Sequence, residues 1–259
     1  MVIDGDVHIS PTREGGNSLT IDELLHIMDR AGVDKALTWL HPPYMREVSE
    51  ANRYVYQAMK RHPDRILGFG WVDPHLGLEK MQDEVRRCAE EYGFYGVKLN
   101  GAQNAYYIDD PECSLPLLEA IARAGKIAAF HIGSDAYEET HPYRLGKLAR
   151  RFPELHMLMV HMGGVAFHDL SNAAIEVLQE YPNITAIGSG IRHVNVLKAI
   201  KKVGTERVCF GSDTPFALMH VELAAYNALL DGEVAEEGRH NVMAGNILRL
   251  LGMTESVGT

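Results

Sequence analysis

The stretch MVIDGDVHISPTREGGNSLTIDELLHIMDRAG (1–32) reads as one strand, one loop and one helix. Met1, Ile3 and Val7 suggest a buried strand over 1–8. The helix has clear ends: Thr20 is an N-cap with Glu23 three residues on, and Gly32 stops it. Inside the strand, Asp4, Asp6 and His8 are spaced by two, so simple alternation sends all three side chains from the same face. Two acids and a histidine aimed at one point are costly in a strand that is otherwise apolar, and the pattern asks for a chemical reason.

The same unit repeats along the chain. Further strands are expected at DKALTWLH (34–41), RILGFGWVD (65–73), FYGVKLN (94–100), KIAAFHIG (126–133), HMLMVHMGG (156–164), ITAIGSG (184–190) and VCFGSD (208–213). Amphipathic helical patterns separate them. Eight strands, each followed by a helix, in 259 residues is the arithmetic of an α/β protein of the (β/α)8 barrel type. The expected organisation is a single domain over 1–259, with HNVMAGNILRLLG (240–252) as an extra terminal helix. An open doubly wound sheet is the rival fold, but no GxGxxG turn follows the first strand.

Bulk properties narrow the function. A net charge of −10 argues against a nucleic-acid partner, which wants a basic face. No run of about 18 apolar residues could span a membrane, and no signal-like apolar stretch follows Met1. The three cysteines (Cys88, Cys113, Cys209) are widely spaced, which fits free thiols in a reducing, cytoplasmic setting. A small-molecule substrate is the remaining class of partner.

In barrels of this type the chemistry sits at the C-terminal strand ends. Those ends carry Asp6 and His8, Lys98 and Asn100, His131, His161, and Asp213. Alternation lets Phe130 and Ile132 face the helices while His131 faces inward. The same reading applies to Leu158 and Val160 around His161, and to Val97 and Leu99 around Lys98. Asp6, His8, His131 and Asp213 then form a mixed oxygen and nitrogen set suited to one divalent metal, Zn²⁺ first and Mn²⁺ as the alternative. Lys98 and Asn100 are candidates for binding substrate, as is Arg192 beyond strand 7.

The strand-1 acid/histidine pair, followed by GVKLN, FHIG, HMGG and FGSDTPF, resembles the amidohydrolase superfamily. The likeness is to its amidohydrolase-related branch, which includes the amino-carboxymuconate-semialdehyde decarboxylase group. One departure is that Asp6 stands where that family usually has its first ligand histidine. The resemblance implies Asp6, His8, His131 and Asp213 as ligands, His161 as a catalytic or ligating residue, and a homo-oligomer. The leading expectation is hydrolysis of a small carboxylate-bearing ester, lactone or amide. In it Asp213 takes the proton of a metal-activated water and His161 donates to the developing oxyanion. Non-oxidative decarboxylation is the alternative that the same ligand set supports. A Schiff-base role for Lys98 is a third reading, disfavoured by the acids around it.

Overall fold

The computed structural model describes residues 1–12, 18–43 and 45–254. Eight parallel strands follow one another in spatial order β1 to β8. They are β1 (Ile3–Ile9), β2 (Lys35–Leu40), β3 (Ile66–Trp71), β4 (Gly96–Leu99), β5 (Ile127–Gly133), β6 (Met157–Gly164), β7 (Ile184–Ile187) and β8 (Val208–Cys209). The intervening helices are α1 (Ile21–Ala31), α2 (Ser49–Arg61), α3 (Leu78–Arg86), the short α4 (Gly101–Asn104), α5 (Ser114–Arg123), α6 (Pro142–Arg151), α7 (Ser171–Glu180), α8 (His193–Val203) and α9 (Met219–Leu230). The fold is a (β/α)8 barrel. Gly5 N–H donates to the Phe210 carbonyl (3.0 Å), Asp213 N–H to Asp6 (3.0 Å) and His8 N–H to Thr214 (2.8 Å), which joins the last strand to the first.

Two apolar layers result from strand alternation. Ile3, Leu37, Trp39, Phe69, Ala129, Val160 and Cys209 fill the barrel. Val7, Ile9, Val97, Leu99, Phe130 and Ile132 pack outward under the helices. The last helical segment, α10 (Glu236–His240) and α11 (Asn246–Leu250) joined by a wide turn, plugs one end of the barrel. Ala244, Ile247 and Leu248 join the interior layer there. Asn246 Nδ2 donates to the Val208 carbonyl (2.9 Å) and the Thr205 carbonyl (2.7 Å), clamping the plug to the start of β8.

The alternation expected from the sequence fails at two strands, and each failure has a backbone cause. On β1, Ile3 pairs with Lys35 and Asp4 with Ala36, but the next pair is Val7 with Thr38. Three residues of β1 therefore span two of β2, a bulge. It reverses the facing of everything that follows, so Ile3 lies inside the barrel while Val7 and Ile9 lie outside. Asp4 and Asp6 consequently leave opposite faces, which corrects the reading that put Asp4 beside Asp6 and His8. Asp4 Oδ1 instead accepts from the backbone N–H groups of Asp6 (3.1 Å) and Ser212 (2.9 Å), tying β1 to the end of β8.

On β6 the expectation that Leu158 and Val160 face the helices is also corrected, because both belong to the interior layer. His161 reaches the mouth by a different route: its φ is +72°, and Met162 follows at +52°. Left-handed backbone at a non-glycine residue costs about 1–3 kcal/mol and is characteristic of functional sites. Asp213, at φ +60°, is turned the same way. The last two strands are shorter than expected. Their ladders end at Ile187 and Cys209, and from there the chain bends across the mouth.

Tight barrel closure has a measurable consequence at Gly96. A Cβ there would lie 2.4 Å from the Ile127 carbonyl oxygen and 2.3 Å from the Phe69 ring, both on neighbouring elements of the sheet. Gly96→Ala is expected to destabilise the fold by about 1–3 kcal/mol through overpacking, read as a lower urea midpoint with an unchanged far-UV spectrum.

Candidate metal centre

Asp6 has no solvent exposure, and His8 and His161 have 3% each. His8 Nε2 lies 3.5 Å from Asp6 Oδ1 and 3.5 Å from Asp213 Oδ1. His161 Nδ1 is 3.6 Å from Asp6 Oδ2. One donor atom from each of Asp6, His161 and Asp213 falls within 4.8 Å of the others. The bulge after Asp4 and the left-handed turns at His161 and Asp213 are what bring these side chains to one point.

The charges are mutually dependent. Burial would raise the Asp6 carboxyl, but the Lys98 ammonium first, and His8 beside it, hold it well below the usual carboxylate range. His8 is pulled the other way: burial lowers it, yet the carboxylates of Asp213 and Asp6, each 3.5 Å away, bring it up to about 9. Burial lowers His161 to about 4 against the opposing pull of Asp6 and Asp213, so its ring is neutral. Lys98 is lowered by burial to about 8 despite Asp6 and Asp213, and so stays mostly protonated at neutral pH.

These residues suit a divalent cation. Asp6 Oδ1 is buried and makes no hydrogen bond. His8 Nδ1 faces the Leu40 carbonyl at 2.9 Å, which leaves Nε2, 3.5 Å from a carboxylate oxygen of both Asp6 and Asp213, as the nitrogen that would meet a metal there.

His131 and Asn100 are placed around the same mouth. His131 is stacked edge-on against His161 with ring centroids 4.6 Å apart. Its Nε2, however, is held by both oxygens of Asp135, at 3.0 and 3.1 Å. Asn100 caps α4 by accepting from Gln103 N–H (2.9 Å) and lines the cavity beside Lys98. That cavity has a volume of about 340 Å³ and is walled by His8, Lys98, His131, His161, Asp213 and Phe216, among others. Arg192 lies elsewhere. Its side chain is 72% exposed, pairs with Asp169 at 2.7 Å, and borders a neighbouring cavity between the loops after β6, β7 and β8.

Four contributors were not singled out in the sequence. Trp39 lies under Lys98, with the ammonium 3.8 Å from a ring centroid, and its indole nitrogen is 3.1 Å from His8 Nε2. Ser189 Oγ donates to Asp6 Oδ2 (2.5 Å). Asp135 and Phe216 complete the wall. Ser189 was within reach of a period-two argument, since it lies two beyond the inward-facing Ile187. So was Trp39 on β2, two beyond the inward-facing Leu37, whereas Asp135 and Phe216 lie on loops, whose paths no local pattern encodes.

Comparison with known proteins agrees with this geometry. The amidohydrolase family model matches residues 3–253. The chain belongs to the amidohydrolase family. Gamma-resorcylate decarboxylase from Rhizobium sp. (strain MTP-10005) is 23% identical over 287 aligned positions, which cover 88% of this chain and 86% of that protein. The 2-amino-3-carboxymuconate-6-semialdehyde decarboxylase of Dictyostelium discoideum is 24% identical over 83% of this chain and 69% of its own length. Among solved structures, a dihydroxybenzoic acid decarboxylase from Polaromonas sp. JS666, with bound manganese and the inhibitor 2-nitroresorcinol, superposes with a TM-score of 0.76. It is 20% identical, with 98% of each chain covered.

These relatives correct the expected chemistry. They are decarboxylases, so the expectation of ester, lactone or amide hydrolysis is set aside. The reason it arose is physical: one buried set of acids and imidazoles around a divalent cation serves either reaction, and the strand-end residues alone do not distinguish them. The chain is an enzyme of the amidohydrolase superfamily. Among the described residues, no helix is long and apolar enough to cross a membrane.

Proposed function

We propose that the protein is a metal-dependent, non-oxidative decarboxylase of a small, hydroxylated aromatic or muconate-like carboxylate. The observation that carries this reading is Lys98. Its ammonium is buried, has no hydrogen-bond partner among the described residues, and lines the same cavity as the acid–imidazole cluster. A desolvated cation without an acceptor is a receptor for an anion, and beside a metal site it suits a carboxylate.

The donor set that would hold the metal is Asp6, His8 and Asp213, with one of the two stacked imidazoles, His131 or His161. When bound, Mn²⁺ or Zn²⁺ supplies a Lewis acid that anchors the substrate's carboxylate or a neighbouring hydroxyl. The protein's own groups account for the rest. Lys98 pairs with the carboxylate and Asn100 faces it from the same strand end. Phe216, packed on the edge of His8 with centroids 5.4 Å apart, offers an apolar wall for the substrate's flat face.

Of the two carboxylates, Asp6 is sealed below the cavity while Asp213 lines it. Asp213 is therefore assigned the proton that is delivered to the carbon bearing the carboxylate. The bond to the carboxyl carbon then breaks, its electron pair returns to the substrate's π system, and CO₂ leaves. Asp213 regains a proton from water, so the balance is one carboxylate and one proton in, one C–H and one CO₂ out.

Metal binding is checked by calorimetric titration of chelator-treated protein with Mn²⁺. About one equivalent is expected, with affinity reduced by more than roughly 100-fold in Asp6→Asn and His8→Ala, since even outer partners of metal ligands are worth about 10–100-fold.

The reaction is checked by incubating Mn²⁺-loaded protein in D₂O with hydroxybenzoates, carboxyvanillates and amino-carboxymuconates, following CO₂ and the mass of the product. One deuterium at the vacated carbon is expected. Asp213→Asn should lower kcat by at least about 100-fold. Lys98→Met should raise KM by roughly 10–100-fold, the worth of one charged hydrogen bond. Fully metallated protein that releases no CO₂ from any carboxylate in these classes would overturn the reading.

A further inference from the structure

The chain leaves β7 at Ile187 and crosses under His161 as Gly188-Ser189-Gly190. Period-two alternation from the interior Ile187 carries Ser189 inward, where it is fully buried. Gly190 allows this close approach: its φ is +60°, and a Cβ there would lie 3.1 Å from His161 Nδ1. The hydroxyl of Ser189 then stands between two members of the cluster. It is 2.5 Å from Asp6 Oδ2 and 3.1 Å from His161 Nδ1.

We propose that Ser189 is a positioning residue that fixes which nitrogen of His161 carries the proton, Nδ1, and so presents a bare Nε2 lone pair to the site. A serine hydroxyl has one hydrogen. The shorter contact, from Ser189 Oγ to Asp6 Oδ2, commits that hydrogen to the carboxylate oxygen. The Ser189 oxygen can therefore only accept from the imidazole. The other atoms facing Nδ1 are the Ser189 carbonyl oxygen (3.3 Å) and Asp6 Oδ2 (3.6 Å), which are acceptors as well. Nδ1 meets three oxygens, none with a hydrogen to give, so it is the nitrogen that holds the proton.

A neutral ring with its proton on Nδ1 has none on Nε2. His161 cannot then donate to a developing oxyanion, the role the sequence suggested for it. It serves as an acceptor instead, a ligand for the metal or a partner for a substrate hydroxyl. One serine thus orients a carboxylate and an imidazole together, as outer partners of metal ligands do. The assignment stands on the protein's own hydrogen bonds and does not depend on which carboxylate is the substrate.

The test is long-range ¹H–¹⁵N correlation spectroscopy of histidine-labelled protein, metal-free and loaded with diamagnetic Zn²⁺. The His161 signals are identified by their loss in His161→Asn. The expected wild-type pattern is Nδ1 protonated and Nε2 bare. In Ser189→Ala the pattern should move toward a mixture of the two tautomers, and Mn²⁺ affinity should fall roughly 10-fold. Ser189→Thr, which keeps the hydroxyl, should restore both. An Nε2-protonated ring in the wild-type protein overturns the proposal, and that spectrum decides it even if the alanine variant fails to fold. A Ser189→Ala spectrum identical to wild type overturns it equally. Because no substrate enters this experiment, its failure is distinct from a failure of the decarboxylase reading.

Discussion

A carboxylate with no access to water must be compensated by positive charge and hydrogen-bond donors, and at the mouth of this barrel that carboxylate is Asp6. Lys98 and His8 supply the charge, and the Ser189 hydroxyl supplies a donor. Each of them is committed in turn. Lys98 rests on the face of Trp39, His8 lies between the two carboxylates, and Ser189 also faces His161. Removing any one leaves an unpaired buried group. The cluster therefore behaves as a unit, and substitutions within it will not be additive.

The barrel provides the rigidity that such a unit needs, and the cluster in turn depends on places where the barrel departs from regularity. Undistorted strands would place Asp6 with the outward residues of β1 and His161 with those of β6. A one-residue bulge corrects the first and a pair of left-handed residues the second. These distortions cost free energy locally. They are tolerated because neighbouring strands and the plug formed by α11 hold the barrel closed around two separate apolar layers.

The proposed chemistry pairs a candidate cation site with a second, organic cation. Hydrolysis needs a water activated beside a scissile carbonyl, whereas decarboxylation needs a carboxylate held still and a proton brought to its carbon. A buried ammonium that has no hydrogen-bond acceptor among the described residues and lines the same cavity as Asp213 suits the second requirement better, and the relatives point the same way. Asp135 holds His131 Nε2 through both of its carboxylate oxygens, which ties this imidazole to the loop after β5.

Much of this was legible in the chain itself. The regular spacing of eight apolar runs, the capped helix at Thr20–Gly32 and the polar residues at strand ends specify a barrel with a polar cluster at one rim, because period and capping are local properties. Lys98 and His131 were placed correctly by alternation alone, since β4 and β5 are regular over those residues. Asp4, Leu158 and Val160 were not, because a bulge or a positive φ is set by the pairing of a strand with its neighbours and leaves no signature in a short window. Ser189 and Trp39 lay within reach of the same alternation, whereas Asp135 and Phe216, on loops, entered the site only in the folded chain. The sequence by itself determined the architecture and most of the polar inventory. Tertiary structure alone decided which of those groups touch, since hydrogen bonds as short as Ser189 to Asp6 join residues 183 positions apart.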